Sequence, residues 1–246
     1  MLRLKNTLTF SSLFAILFFS VFFNSCKNKK DDFVLDYKYE YFPLDSGRYW
    51  IWETDSIRFE PLGSGNVKSD TGNYFIKEVV ESIYNDNAGR PTARIERYRS
   101  ETSTPYNWYI TDIWFANLTN KTGEKVEENL RFVKLIFPPK NNQTWKGNQY
   151  VQVTNNIEWL NDWTYSVESL DVPATFNSLT FDSTISVLQN TNENLIEKSF
   201  STETYAKNVG LVYKELLRLE KTNVTNTWEF PEKGFILKMT IKEFSN

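Results

Sequence analysis

The chain has 246 residues, with 28 Lys and Arg against 31 Asp and Glu, no histidine and a single cysteine. The missing histidine excludes a Ser-His-Asp triad and a Cys-His pair, and one thiol cannot build a zinc site from Cys or His ligands. Without a basic excess, nucleic acid is not an expected partner. Carboxylate, Tyr or Lys chemistry and hard-cation binding remain open. No catalytic motif, cofactor motif or metal-ligand spacing stands out, so the expectation is a non-enzymatic protein without cofactor or metal.

The first element is "MLRLKNTLTFSSLFAILFFSVFFNSC". Arg3 and Lys5 form a basic head, and Phe10 to Phe23 is apolar except for Ser11, Ser12 and Ser20. A basic head, an apolar middle and a small residue, Ser25, at the end is the layout of a secretory signal. As a helix, Leu8 to Phe23 would span about 24 Å, short of the ~30 Å hydrocarbon core. A removed signal is therefore expected over 1–25, rather than a permanent membrane span. Without it the charge is 26 basic against 31 acidic residues, a net of −5.

Phe23-Asn24-Ser25-Cys26 resembles the lipobox of bacterial lipoproteins, although Phe23 stands where Leu is common and Asn24 is unusual. The resemblance implies cleavage between Ser25 and Cys26, a diacylglycerol on the Cys26 thiol, incorporation of palmitate, and a membrane as partner through the N-terminal lipid. Two or more acyl chains anchor stably where one does not. The alternative is ordinary signal cleavage with Cys26 incidental. Residues 26–35 read as the lipidated cysteine and a charged tether. Within it Lys30, Asp31 and Asp32 resemble the acidic surface-export signals of Bacteroidota lipoproteins; an ordinary charged linker is the alternative.

Residues 36–246 are punctuated at short intervals by turn sequences such as "DSG", "GSGN", "DTGN", "NDNAG", "NKTG" and "PPKNN". Between them lie segments rich in Tyr, Trp, Phe, Val, Ile and Thr, several alternating with period two. In "WTYSVES" the shared face is Trp163, Tyr165 and Val167; in "FILKMTIK" it is Phe235, Leu237, Met239 and Ile241. This pattern predicts one all-β domain, an antiparallel meander of about ten to twelve strands forming a strongly curved sheet or partly open barrel. "NIEWLNDW" predicts at most a single helical turn. "RFVKLIF" (131–137), apolar on both faces, is expected to be central. "ARIERYRSE" (93–101), charged on both faces, is expected at an edge or in a protruding hairpin.

One internal echo occurs. Phe42-Pro43 precedes Trp50 and Phe137-Pro138 precedes Trp145, each with six residues between Pro and Trp. The simplest reading is a Trp sealing each end of one core. "YFPLDSGRYWIW", "FPPKNNQTWKG" and "YAKNVGLVYKE" together resemble a group of uncharacterised Bacteroidota-type lipoproteins. That resemblance implies an all-β domain lipid-anchored in the outer membrane, on its periplasmic or surface-exposed face, with no defined activity.

Candidate ligand-facing aromatics are Trp50 with Trp52 and Trp108 with Trp114, each pair sharing a face if the alternation is unbroken, with Asp112 beside the second. Stacking on sugar rings is one role and core packing the other. Glu215, among Leu211, Tyr213, Leu217 and Leu219, could be an acid on an apolar face or a simple ion-pair partner. "DSI" (55–57) and "DST" (182–184) resemble the O-glycosylation motif of exported Bacteroidota proteins. The functional expectation is an envelope lipoprotein acting as a binding or assembly module, with another envelope protein, a lipid or a glycan as partner. The alternatives are a carrier holding an apolar ligand or lipid in a half-barrel cavity and a glycan-binding or glycan-cleaving surface protein.

Overall fold

The computed structural model describes residues 35–245 apart from 64, 153, 155, 156, 225 and 226. Nearly all of them belong to the compact unit Asp36–Asn246. The expected signal, Ser25, Cys26 and the Lys30-Asp31-Asp32 stretch lie outside the described residues.

Twelve strands follow one another: β1 (Tyr49–Gly63), β2 (Asn66–Asn85), β3 (Pro91–Ser100), β4 (Tyr109–Leu118), β5 (Thr122–Glu127), β6 (Leu130–Ile136), β7 (Thr144–Trp145), β8 (Tyr165–Phe176), β9 (Leu179–Glu193), β10 (Glu197–Ala206), β11 (Gly210–Glu220) and β12 (Lys233–Phe244). They form one sheet in the order β6-β5-β4-β3-β2-β1-β12-β11-β10-β9-β8-β7. Every neighbour is antiparallel, and β1 pairs β12 through registers such as Trp52↔Ile241. The result is an up-and-down barrel, nearly closed, whose one unsealed seam lies between β6 and β7. Two bonds cross it. The Val133 amide donates to the Gly147 carbonyl at 2.8 Å, and Trp145 Nε1 donates to the Val133 carbonyl at 2.8 Å.

The expected alternation places the core. Trp163, Tyr165 and Val167 are buried together, as are Met239 and Ile241, while Lys238 and Lys242 face solvent. Two expectations about strand position are corrected. "RFVKLIF" is not central: it contains β6, an edge strand at the seam. Its free edge is nevertheless partly covered, because the Gly147 carbonyl and the Trp145 indole hydrogen-bond the Val133 backbone. "ARIERYRSE" is no edge: β3 runs between β2 and β4. Its charges tolerate that position because each is paired, Arg97 inward with Glu78 and Arg94 outward with Glu81 and Glu96. Charge on both faces thus marked neighbours of opposite sign rather than a need for solvent.

Both ends of the barrel are covered. At the end where the chain enters, a 3-10 turn at Tyr39–Tyr41 crosses the opening. Tyr41 is fully buried, its hydroxyl donates to Asp171 Oδ1 at 2.7 Å, and it shares a hydrogen bond with Ser183. On the other side of the seam, on β5, the Phe42 ring lies on Gly123, where a Cβ would meet it at 2.9 Å. The Asn208 amide donates to the Glu40 carbonyl at 2.7 Å, inside a β10–β11 turn where Asn208 and Gly210 both take positive φ. Gly and Asn are the residue types that take this left-handed conformation at least cost. At the other end the segment between β7 and β8 folds over the opening, with the expected short turn realised as a 3-10 turn at Glu158–Leu160. Asn148 Nδ2 donates to the Leu160 carbonyl at 2.7 Å, and the Trp159 ring meets Phe235 of β12 edge-on.

The echo also acquires a place. β1 and β7 each open a run of six strands and point the same way, because they are six steps apart in an antiparallel order. Trp50 walls the void toward the entry end, whereas Trp145 packs on Tyr165, which lines the cavity toward the other end. Each indole donates to a backbone carbonyl, of Val209 and Val133 respectively.

Candidate functional site

The barrel interior carries a belt of charged residues at inward-facing positions on six strands. Glu78 (β2), Arg97 (β3), Lys125 and Glu127 (β5), Lys134 (β6), Glu203 (β10) and Lys214 (β11) are joined by contacts between opposite charges. Glu78 receives Arg97 Nη1 at 2.6 Å and Lys125 Nζ at 2.7 Å on its two oxygens. Lys125 also lies 3.6 Å from Glu127. Lys134 Nζ then links Glu127 at 3.3 Å to Glu203 at 3.0 Å, and Lys214 Nζ links the same two carboxylates at 3.6 and 3.2 Å. Tyr205 donates to the second Glu203 oxygen at 2.5 Å. Arg97 and Lys125 lie 4.2 and 4.8 Å from the centre of the Trp114 ring.

Burial alone opposes ionisation of these groups, and the neighbouring charges reverse it. For Glu203 the opposing burial is outweighed by Lys134 and Lys214, which hold its carboxyl at about 2. For Glu127, burial is outweighed by Lys134, Lys214, Lys125 and Arg97, leaving its carboxyl well below the usual range. Lys134 is raised despite burial, through Glu127 and Glu203. Burial raises the Tyr165 and Tyr205 phenols, which stay protonated donors. Glu127, Lys134 and Glu203 are thus held in their charged forms, and every carboxylate oxygen of Glu127 and Glu203 faces a cation or the Tyr205 hydroxyl.

Glu127 and Lys134 border two spaces. Toward the entry end, a void of about 40 Å³ is walled by Trp50, Trp52, Phe42 and Tyr205. Toward the other end, a cavity of about 200 Å³ lies beneath the Glu158–Leu160 turn and opens to solvent. Lys134, Lys214, Glu127, Gln189 and Ser201 supply its polar lining, and Trp159, Trp163, Phe132, Leu160 and Leu216 its apolar walls.

The sequence-predicted residues fall in different places. Trp50 and Trp52 are core residues, 6% and 1% exposed, stacked with centroids 6.3 Å apart and donating to the carbonyls of Val209 and Leu211. Trp114 faces the belt. Trp108 lies just before β4, stacked on Tyr106 at 4.7 Å with Lys77 nearby. The Trp108–Trp114 pairing fails because β4 is irregular where Tyr98 and Arg97 pair with Ile110 and Asp112, which breaks the alternation. Asp112 stands 3.9 Å from Arg97 Nε.

Glu215 faces outward, beside Tyr213, whose hydroxyl donates to it at 2.7 Å. The face proposed for it is split by a bulge. Thr204 pairs with Tyr213 but Tyr205 with Leu211, so Val212 is an extra residue and Leu211 turns inward while Tyr213 and Glu215 turn out. The charged side chain that this strand turns into the belt is the adjacent Lys214. Sequence reasoning missed the belt because it assigned charge to solvent. The available signal was period two: Lys134 shares a face with Phe132, and Glu203 with Tyr205.

Among the described residues, no group of three or more Asp, Glu, Cys or His is placed to hold a metal ion. No family model and no curated protein matches the chain. A solved structure that does match is described as a "putative lipoprotein" from Parabacteroides distasonis. It is 11% identical, with a TM-score of 0.31, and the match covers 83% of this chain and 98% of that one.

Proposed function

We propose that the chain is a lipid-anchored envelope lipoprotein of the bacterial outer membrane, whose barrel is a non-catalytic binding module working at its capped end. The observation that carries the binding role is the cavity of about 200 Å³ beneath the Glu158–Leu160 turn. It is smaller than the roughly 300–1,000 Å³ of sites for drug-sized ligands, and a belt of ion pairs closes it off from the rest of the interior. This supports a small ligand over the lipid-carrier reading, which requires a continuous apolar hollow. A binding role is also consistent with a belt whose carboxylates are all engaged by cations, leaving neither an unpaired acid nor a free base.

The anchor rests on the signal-like N-terminus and Cys26. Metabolic labelling with palmitate tests it: the wild-type chain takes up label, Cys26→Ser does not, and retained labelling in that variant refutes lipidation. Neutralising Lys30, Asp31 and Asp32 together is expected to reduce protease accessibility on intact cells. Unchanged accessibility makes that stretch a plain tether.

A glycan-binding reading is favoured by one observation on the outer surface. The stacked Tyr106–Trp108 pair adjoins Tyr109, which is exposed and donates to Glu101 at 3.2 Å. Aromatic faces beside a carboxylate suit sugar rings.

A further inference from the structure

We propose that the capped-end cavity takes a compact apolar molecule headed by a carbonyl-type acceptor, either a carbonyl or a carboxylate oxygen. This rests on the binding role above and names its ligand class.

The inference comes from counting donors and acceptors. Lysine has three N–H donors and no acceptor. Among the described residues Lys134 and Lys214 each meet two carboxylates, Glu127 and Glu203, so each has one donor left. Gln189 is 3% exposed and lines the same cavity. Its Oε1 accepts from the Ser201 hydroxyl at 2.7 Å, while its Nε2 has no partner among the described residues. A buried amide donor left unpaired costs about 1–3 kcal/mol, so its retention is accounted for by a group that pairs it when bound. On the acceptor side, the four oxygens of Glu127 and Glu203 already receive Lys125, Lys134, Lys214 and Tyr205. The cavity floor therefore offers donors in excess.

Above that floor the walls are Trp163, Phe132 and Leu216. They present apolar surface that a polar ligand such as a free ion does not use. The space of about 200 Å³ corresponds to about half a dozen waters. That admits a single substituted ring and excludes an acyl chain. Lys134 and Lys214 on the floor oppose a cationic head group, while the Glu128 carboxylate among the lining residues opposes an anionic one, so neutral and singly acidic heads are separated by measurement.

The test uses the mature lipidated chain in detergent, titrated calorimetrically and by tryptophan fluorescence with a matched series: benzoate, benzamide and benzylamine. Saturable binding of benzoate or benzamide below about 1 mM, a free energy of about −4 kcal/mol, with no binding of benzylamine, is the expected result. The stronger of the two identifies the head group. Gln189→Leu, folded by circular dichroism, should weaken binding at least tenfold. Leu216→Trp, which fills the space without touching the donors, should abolish it. No saturable binding by any probe, equal binding of benzylamine, or binding unchanged in both variants overturns the proposal. None of these outcomes bears on palmitate labelling, so failure here is distinguishable from failure of the lipoprotein reading.

Discussion

Lys134 Nζ lies 3.0 Å from Glu203 Oε1, both residues almost wholly buried, on strands β6 and β10 that are not neighbours in the sheet. The pair spans the side of the barrel that contains the seam. The ladder between β6 and β7 is missing, and the belt supplies a cross-strand tie from inside. Because both charges are removed from water, the pair stabilises only while each has its partners, and loss of one leaves the other uncompensated.

The first prediction follows from that dependence. Glu203→Gln should lower unfolding stability by about 3–5 kcal/mol, the range for breaking a buried ion pair. Urea titration of the variant against wild type measures it. Glu193→Gln is the control: its pair with Lys198 at 2.9 Å is largely exposed, and its loss should leave the urea midpoint nearly unchanged. Hydrogen exchange in Glu203→Gln should accelerate first in β6 and the chain after β7, where the seam depends on the tie. Equal effects of the two substitutions would show that the belt does not brace the barrel.

A second prediction concerns pH. The Glu203 carboxyl is at about 2 in the folded state against an ordinary 4.5, so its contribution is present above about pH 4.5 and is lost as pH falls toward 2. Lys134 is raised above its ordinary 10.5, so its contribution is present below that value and is lost as pH rises beyond the folded value. Urea midpoints should therefore be level between about pH 5 and 10 and fall on both sides. In Glu203→Gln the acid limb should become shallower. An unchanged acid limb would assign acid sensitivity to other carboxylates.

The third prediction tests the seam itself. Gly147 accepts the Val133 amide bond, and a Cβ on it would lie 2.3 Å from the Tyr165 ring. Tyr165 cannot yield freely, because it is buried and its hydroxyl donates to Asn148 Oδ1 at 3.0 Å, while Asn148 holds the Leu160 carbonyl of the cap. Gly147→Ala should cost about 1–3 kcal/mol by overpacking and disturb the emission of Trp159 and Trp163. Wild-type stability with altered emission would place the cost in the cap alone.

What could be read without the fold depended on locality. Period two in "WTYSVES" and "FILKMTIK", and turn residues between such segments, were enough for an antiparallel all-β meander, since both signals are local properties of the chain. Strand position was not legible. "RFVKLIF" looked central and is an edge, because apolarity reports burial and not the number of strand neighbours. "ARIERYRSE" looked like an edge and is interior, because its charges are answered by Glu78 and Glu81, residues outside the segment.

The sequence by itself determined the chemistry that is absent, the signal-like N-terminus with Cys26, and the alternation that makes strands. These rest on composition and short-range pattern. Only the tertiary structure decided which charges face inward, since single bulges such as the one at Val212 reverse the parity of a strand. It also decided that Lys134 meets Glu203 and that Gln189 borders a cavity, because such contacts join strands whose proximity is set by closure of the whole sheet.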